Sequence, residues 1–385
     1  MTDYIEMAQS LLPELSALRK AIHSEPELGN EEFKTAARIE AFLHGCGIET
    51  ERLLDTAVVG TLHGALPGST VALRADMDAL PLTEQSGAPF ASRVPGKMHA
   101  CGHDVHIASV LGAAKLLSMR RESLHGTVKF FFEPDEEGNG GAQRMIAAGC
   151  MEGVSAVFGA HVSPDLPLGS VGVRYGKFYA ASDTFAITLH GRSAHGAEPE
   201  KGIDALSAAA DLVGALESLP GGRTERCILS IGTLNAGSAL NVIADTARLT
   251  GILRTLGPQN RLEMRALLEK TTQDTAARHG CTADVLLHES YSGVVNTQAE
   301  TALVEETASA LPGVDRVVRI AEPSMTTEDF GYFVDSASGS YYHIGAGCPL
   351  PLHNPGFLPD ERVLPLAAAL HAAVAENSLL QHPIS

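Results

Sequence analysis

Tryptophan is absent from this 385-residue chain, and its 28 Lys and Arg fall well short of its 46 Asp and Glu. The resulting formal charge of −18 argues against nucleic acid as a partner, because phosphates would be repelled. Long apolar runs are missing as well. No stretch reads as approaching the ~20 residues that a transmembrane helix needs, so no membrane partner is expected. The first 20 residues read as an acidic amphipathic helix, without the basic start and apolar centre of a signal peptide. Cysteines are few and scattered: Cys46, Cys101, Cys150, Cys227, Cys281 and Cys348 show no spacing of a disulfide framework. These absences together lead us to expect a soluble protein of the reducing cytoplasm.

What is present supports a real core, since 44% of the residues are hydrophobic. The length allows one large domain or two ordinary ones. Up to residue 178, helix-period segments (6–22, 35–43, 105–117, 142–148) alternate with short apolar strands (58–63, 71–74, 127–132, 156–161). That alternation predicts an α/β domain with a mostly parallel central sheet flanked by helices. From 179 to 290 the pattern changes to strands at 182–189, 227–235, 245–254 and 282–289. Helices at 204–219 and 258–279 lie between them. The order β-α-β-β-α-β predicts an inserted α+β ferredoxin-like two-layer sandwich. Helix and strand alternation resumes over 291–385, which completes the larger domain. The insertion is expected to act as a lid with hinges near residues 178 and 290.

The densest group of metal-type donors is His99-Ala100-Cys101-Gly102-His103-Asp104. Soft sulfur and borderline nitrogen at that density suit zinc, manganese, cobalt or nickel. Cys101 and His103 are two residues apart, so they share one ion only where the backbone is extended or turning. A second acidic motif follows, Glu133-Pro134-Asp135-Glu136-Glu137-Gly138. In a regular strand Glu136 and Glu137 would face opposite ways. At the irregular end of a strand both reach one site, and one can ligate while the other serves as base. A solvated acidic turn is the competing reading, and the buried-strand run Phe130-Phe131-Phe132 just before it counts against that.

His161 and His353 each stand beside turn residues, and alone each reads as a surface or hydrogen-bonded histidine rather than a ligand. Taken with Cys101, His103 and Glu137 they make five ligands. Five suffice for two ions if one ligand or a water bridges. Asp76 and Asp78 close a short strand and would orient the ligating histidines. Capping the turn before Pro81 is their alternative role.

Six segments occur in this order: MHACGHDVHIASVLGAAKLL, FFEPDEEGNGGAQRMIAAG, GRSAHGAEPEKGIDA, NVIADTARLTGILRT, TTEDF and LHNPGF. Over essentially the whole chain they resemble the aminoacylase/carboxypeptidase superfamily of two-metal metallopeptidases. The closer resemblance is to its amidohydrolase branch of hippurate, N-acyl-amino-acid and indole-acetyl-amino-acid hydrolases.

The resemblance implies two divalent transition-metal ions on Cys101, His103, Glu137, His161 and His353, with Glu136 as general base and acid. It implies that His195 stabilises the oxyanion, that Asn241 and Arg254 lie near the substrate carboxylate, and that a homodimer forms through the inserted domain. Asp135, Ala244 and Leu358-Pro359 depart from the branch's usual residues. The activity it implies is hydrolysis of the amide of small N-acyl amino acids, such as N-acetyl or N-benzoyl compounds. A metallo-carboxypeptidase or dipeptidase on the same scaffold is the second reading, and a non-catalytic metal or ligand binding protein the third.

Overall fold

The computed structural model describes residues 2–381. The chain forms two compact units. One comprises the chain up to Phe178, then Val295–Glu322, and everything from Asp329 onward. The other comprises Tyr179–Val294 and Pro323–Glu328. The sequence pattern predicts an insertion that closes at 290 and has no later segment. Backbone pairing explains the difference. Tyr179 bridges Ser324, Ala180 N–H donates to the Thr326 carbonyl at 3.1 Å, and Arg254 Nη1 donates to the Met325 carbonyl at 2.8 Å.

The first unit begins with α1 (Thr2–His23) and α2 (Phe33–Gly45), then β1 (Glu49–Leu53), β2 (Ala57–His63) and β3 (Leu66–Asp76). It continues with α3 (His103–Ser118), β4 (His125–Glu133), α4 (Ala142–Ala147), β5 (Val154–Ser163), β6 (Ser170–Val173) and β7 (Gly176–Lys177). The second unit contributes β8 (Ala181–His190), α5 (Ala205–Glu217), β9 (Cys227–Ala236), β10 (Thr246–Thr255), α6 (Pro258–Arg278) and β11 (Thr282–Tyr291). The chain then returns through β12 (Val295–Asn296), α7 (Gln298–Ala310), β13 (Arg316–Arg319), α8 (Gly331–Ser336), β14 (Ser338–Gly345) and α9 (Val363–Gln381).

Eight strands of the first unit form one sheet in the order β1-β2-β4-β3-β5-β14-β6-β13. Its centre, β4-β3-β5-β14, is parallel throughout. Parallel strands buried on both faces need continuous apolar side chains, and Phe130, Phe131 and Phe132 of β4 are all fully buried. Because the central strands run the same way, their carboxyl ends share one edge of the sheet. Open α/β sheets carry their ligand sites at that edge.

Helices α3 and α9 are buried on nearly every side, as the core helices of a large unit must be. Helix α9 corrects one expectation from the sequence. With 19 residues and a mean hydropathy of 1.4 in its best window, it is long and apolar enough to cross a membrane. In this fold it lies in the core instead, with 83% of that window buried. Ala-rich composition lets it pack closely: a Cβ at Gly112 of α3 would stand 2.7 Å from Ala368 Cβ and 2.9 Å from Leu15 Cδ1.

The second unit is a four-stranded antiparallel sheet, ordered β11-β8-β10-β9, with α5 and α6 on one face. This is the ferredoxin-like sandwich that the strand and helix order indicated. Alternation along β8 places Phe185, Ile187 and Leu189 against Leu212 and Leu216 of α5 and Met264 and Leu268 of α6. Asp204 caps α5 by accepting from the Leu206 and Ser207 amides at 3.0 and 3.3 Å. Arg261 ties the first turn of α6 to β8 through a two-pronged pair with buried Asp183, at 2.9 and 3.1 Å.

Two predictions follow from the packing of the first unit. Gly112→Leu raises intrinsic helix propensity, yet overpacking outweighs that gain. A net loss of about 1–3 kcal/mol is expected, read as a lowered thermal midpoint. The second concerns His23 at the end of α1, whose Nδ1 meets Asp104 Oδ2 at 2.9 Å and whose Nε2 meets Glu84 Oε1 at 3.1 Å. Burial opposes its charge, but the Asp104 charge and both hydrogen bonds outweigh burial and raise its pKa to about 9. The folded value lies above the unfolded one, so this contribution is complete below pH ~6.5 and disappears as pH rises through about 9. The stability gap between wild type and His23→Gln, from denaturant titrations at pH 6 and pH 9.5, should be large at the first and small at the second.

Candidate metal and catalytic site

Gly102 adopts φ 90° and turns the chain from the Cys101 loop into α3. A Cβ there would lie 2.5 Å from Val162 Cγ2, so only glycine fits both the conformation and the space. The turn leaves His103 at the start of α3 and Cys101 just before it, both buried. His161 comes from β5. It donates through Nδ1 to the Val162 carbonyl at 2.7 Å, which leaves Nε2 3.3 Å from Cys101 Sγ. His353 lies in the loop before α9, at φ 62°, and its amide donates to the Ala100 carbonyl at 2.9 Å. Its Nε2 stands 3.0 Å from Glu137 Oε1.

All five expected ligands therefore converge. Cys101, His103 and His161 bring their ligating atoms within 4.8 Å of one another, and so do Cys101, Glu137 and His353. Cys101 is the member common to both groups. A third group on the same scale joins His103, Glu136 and Glu137, so the paired acids do reach one place. Glu136 is the acid of the pair that lies outside both Cys101 groups.

Asp76 and Asp78 also stand where expected, at the end of β3. Asp78 Oδ1 accepts from His103 Nδ1 at 3.2 Å, and its Oδ2 accepts the Glu137 amide at 3.0 Å. His103 Nε2 then remains buried with no hydrogen-bond partner. Asp76 acts through a residue that the sequence reading did not single out. His106, one helical turn along α3 from His103, donates from Nδ1 to Asp76 Oδ1 at 2.6 Å and accepts the Val162 amide on Nε2 at 3.0 Å. It braces the strand that carries His161. Its i+3 spacing from His103 was the available signal.

A second unforeseen group ties together the acids below the site. Arg74 donates to Glu133 Oε2 at 2.7 Å, Asp76 Oδ2 at 2.8 Å and Asp329 Oδ1 at 3.0 Å, all buried. Nothing in the local pattern around residue 74 distinguishes that role from an ordinary strand arginine.

The electrostatics test whether cations belong here. Burial, then the charges of Glu137, Glu136 and Asp76, push the Cys101 thiol well above its usual range. Burial holds His161 neutral, with a lone pair to give. A thiol among carboxylates becomes a thiolate only when a cation reverses the local field. The orphaned His103 Nε2, the neutral His161 and the mixed sulfur, nitrogen and oxygen set all fit divalent transition metals.

His195, Asn241 and Arg254 belong to the second unit. His195 and Asn241 are exposed and adjacent: His195 bridges Val242, and the Gly196 amide donates to the Asn241 carbonyl at 2.7 Å. His195 Nδ1 accepts the Ala197 amide at 3.1 Å, so its proton sits on Nε2. Arg254 is half-buried on β10, with one guanidinium nitrogen on the Met325 carbonyl.

Several known proteins are similar to this chain over most of its length. Residues 72–377 match the model of peptidase family M20/M25/M40. The chain is 37% identical to a thermostable carboxypeptidase of Saccharolobus solfataricus, over 93% of each chain. It is 36% identical to an N-acetyl-L-cysteine deacetylase of Bacillus subtilis, over 92% of this chain and 86% of that one. Among solved structures, a dinuclear metal-binding peptidase of the M20 family from Bacillus subtilis superposes with a TM-score of 0.88 at 34% identity, covering 97% of this chain and 99% of that one. The chain is thus a metal-dependent amide hydrolase and belongs to peptidase family M20/M25/M40.

Proposed function

We propose that this enzyme hydrolyses the amide bond of small N-acyl amino acids, releasing a carboxylic acid and a free amino acid. The observation that carries the reading is the meeting of two three-ligand groups at Cys101 with the Glu136 carboxylate beside them. Cys101, His103, Glu137, His161 and His353 would hold two divalent ions. Such ions supply polarisation of the amide carbonyl and a water whose pKa falls from 15.7 towards about 7.

The chain's own groups supply the rest. Glu136 takes the proton of the attacking water and returns it to the leaving nitrogen. His195, with its proton on Nε2, has the donor that an oxyanion requires. Asn241 and Arg254 fix the amino-acid carboxylate. Asp78 keeps His103 in the ligating tautomer and holds the Glu137 amide. The six unpaired cysteines support a reducing compartment such as the cytoplasm.

A carboxypeptidase or dipeptidase activity is the second reading, favoured by the carboxypeptidase among the relatives. A panel of N-acetyl and N-benzoyl amino acids and free dipeptides separates the two. Preference for compounds with a free α-amino group selects the peptidase. Glu136→Gln should retain two metals per chain by elemental analysis while kcat falls about 10²–10⁴-fold. Near-wild-type turnover in that variant would refute the assigned base. Chelation should abolish activity, and a divalent transition metal should restore it.

A further inference from the structure

We propose that Asp135 is a positioning residue that aims the Glu136-Glu137 pair, working with Asn30, Arg144 and Glu32 as a clasp on the end of β4. This rests on the reading of Glu136 and Glu137 given above and adds what holds them.

Among the described residues only four non-glycines adopt a left-handed φ, and two of them, Asn30 at 65° and Asp135 at 61°, are bonded to each other. That conformation costs a non-glycine residue on the order of 1–3 kcal/mol, least for Asn and Asp, and persists where the surroundings enforce it. The surroundings here are explicit. Asp135 Oδ2 accepts from Asn30 Nδ2 at 2.7 Å, Arg144 Nη2 at 3.1 Å and Asn139 Nδ2 at 3.4 Å. Arg144 Nη1 donates to Asn30 Oδ1 at 2.7 Å, which closes a triangle. A Cβ at Gly29 or at Gly138 would lie 2.1 Å from Asp135 Oδ1, so two stretches of backbone press on the carboxylate.

The main chain of Asp135 is held as firmly. Its amide donates to Glu32 Oε1 at 2.9 Å, and its carbonyl accepts the Gly140 amide at 3.0 Å. Glu32 is itself fully buried and receives Thr56 Oγ1 at 2.9 Å. Two residues on, the Glu137 amide donates to Asp78 Oδ2. Glu136 therefore sits between two amides, each fixed on a buried carboxylate.

A continuing strand would send residues 136 and 137 to opposite faces. The left-handed residue at 135 breaks that alternation and lets both acids meet His103. Exposed Arg–carboxylate contacts alone stabilise little, but this carboxylate is buried, and Asn30 reaches it from a remote segment.

The test compares wild type, Asp135→Ala, Asp135→Asn and Arg144→Ala. Four readouts are used: kcat and KM on N-acetyl amino acids, metal content, thermal midpoint, and amide hydrogen exchange over 134–141. Asp135→Ala should lower kcat about 10- to 100-fold with KM and metal content unchanged, and exchange over 134–141 should accelerate. Asp135→Asn tolerates the left-handed backbone and keeps an accepting oxygen, so it should stay within about threefold of wild type. Adding Arg144→Ala to Asp135→Ala should cost little more, because the two act as one unit.

Unchanged kcat in Asp135→Ala overturns the proposal. So does a parallel loss of metal, midpoint and kcat in both Asp135 variants, which would assign the residue to folding alone. If wild type hydrolyses no N-acyl amino acid, the functional reading fails separately. Exchange then decides the clasp, and unchanged protection in Asp135→Ala rejects it.

Discussion

Compensation of buried negative charge is the constraint on which this structure depends. Asp76, Glu133, Asp329 and Glu136 are all sequestered in one region of the first unit, with the Cys101 sulfur beside them. An unpaired buried carboxylate is too costly to keep. Arg74 answers three of these acids from below. Burial would raise the Asp76 pKa, but His103, His106 and Arg74 together hold its carboxyl well below the usual range. Above them the balance is incomplete: burial and its acidic neighbours push the Cys101 thiol up, and His103 Nε2 has no hydrogen-bond partner. Divalent cations would complete that balance, and this donor set offers them sulfur, nitrogen and oxygen ligands.

The sheet makes this concentration achievable. Strands β3, β4 and β5 run parallel, so Asp76, Glu133 and His161 come to one edge from three separate stretches of sequence. Helix α3 starts at the same edge and brings Cys101, His103 and His106. None of these positions is set by a neighbour in sequence alone. The apolar strands and the tightly packed α3 and α9 provide a rigid frame, and the hydrogen bond to Asp78 holds the candidate ligand His103 in one direction.

The second unit carries a different kind of group. His195 is exposed on a loop of a small sandwich whose core is its own, and the Ala197 amide fixes its tautomer. Exposure leaves that imidazole outside the packing of the fold.

Much of the site could be read from residue types in order. Cys101 and His103 flanking a glycine, the paired Glu136 and Glu137 after a run of phenylalanines, and the β-α-β-β-α-β period of residues 179–290 each carry a local signal. That signal comes from chemistry or periodicity along the chain and was enough to indicate the fold class and to nominate candidate ligands; the reaction class was implied by the family resemblance. Other features have no local signal. That Cys101 is common to both ligand groups, that Arg74 serves three acids, that His106 braces the His161 strand, and that Asn30 and Glu32 hold the turn at Asp135 depend on contacts between segments tens to hundreds of residues apart. The same holds for Pro323–Glu328, drawn into the second unit by backbone pairing, and for α9, apolar enough for a membrane yet buried in protein. Composition and spacing record what a residue can do. Which partner it meets is decided only when strands align and helices pack, because hydrogen bonds and burial act over a few ångströms in space, whatever the distance in sequence.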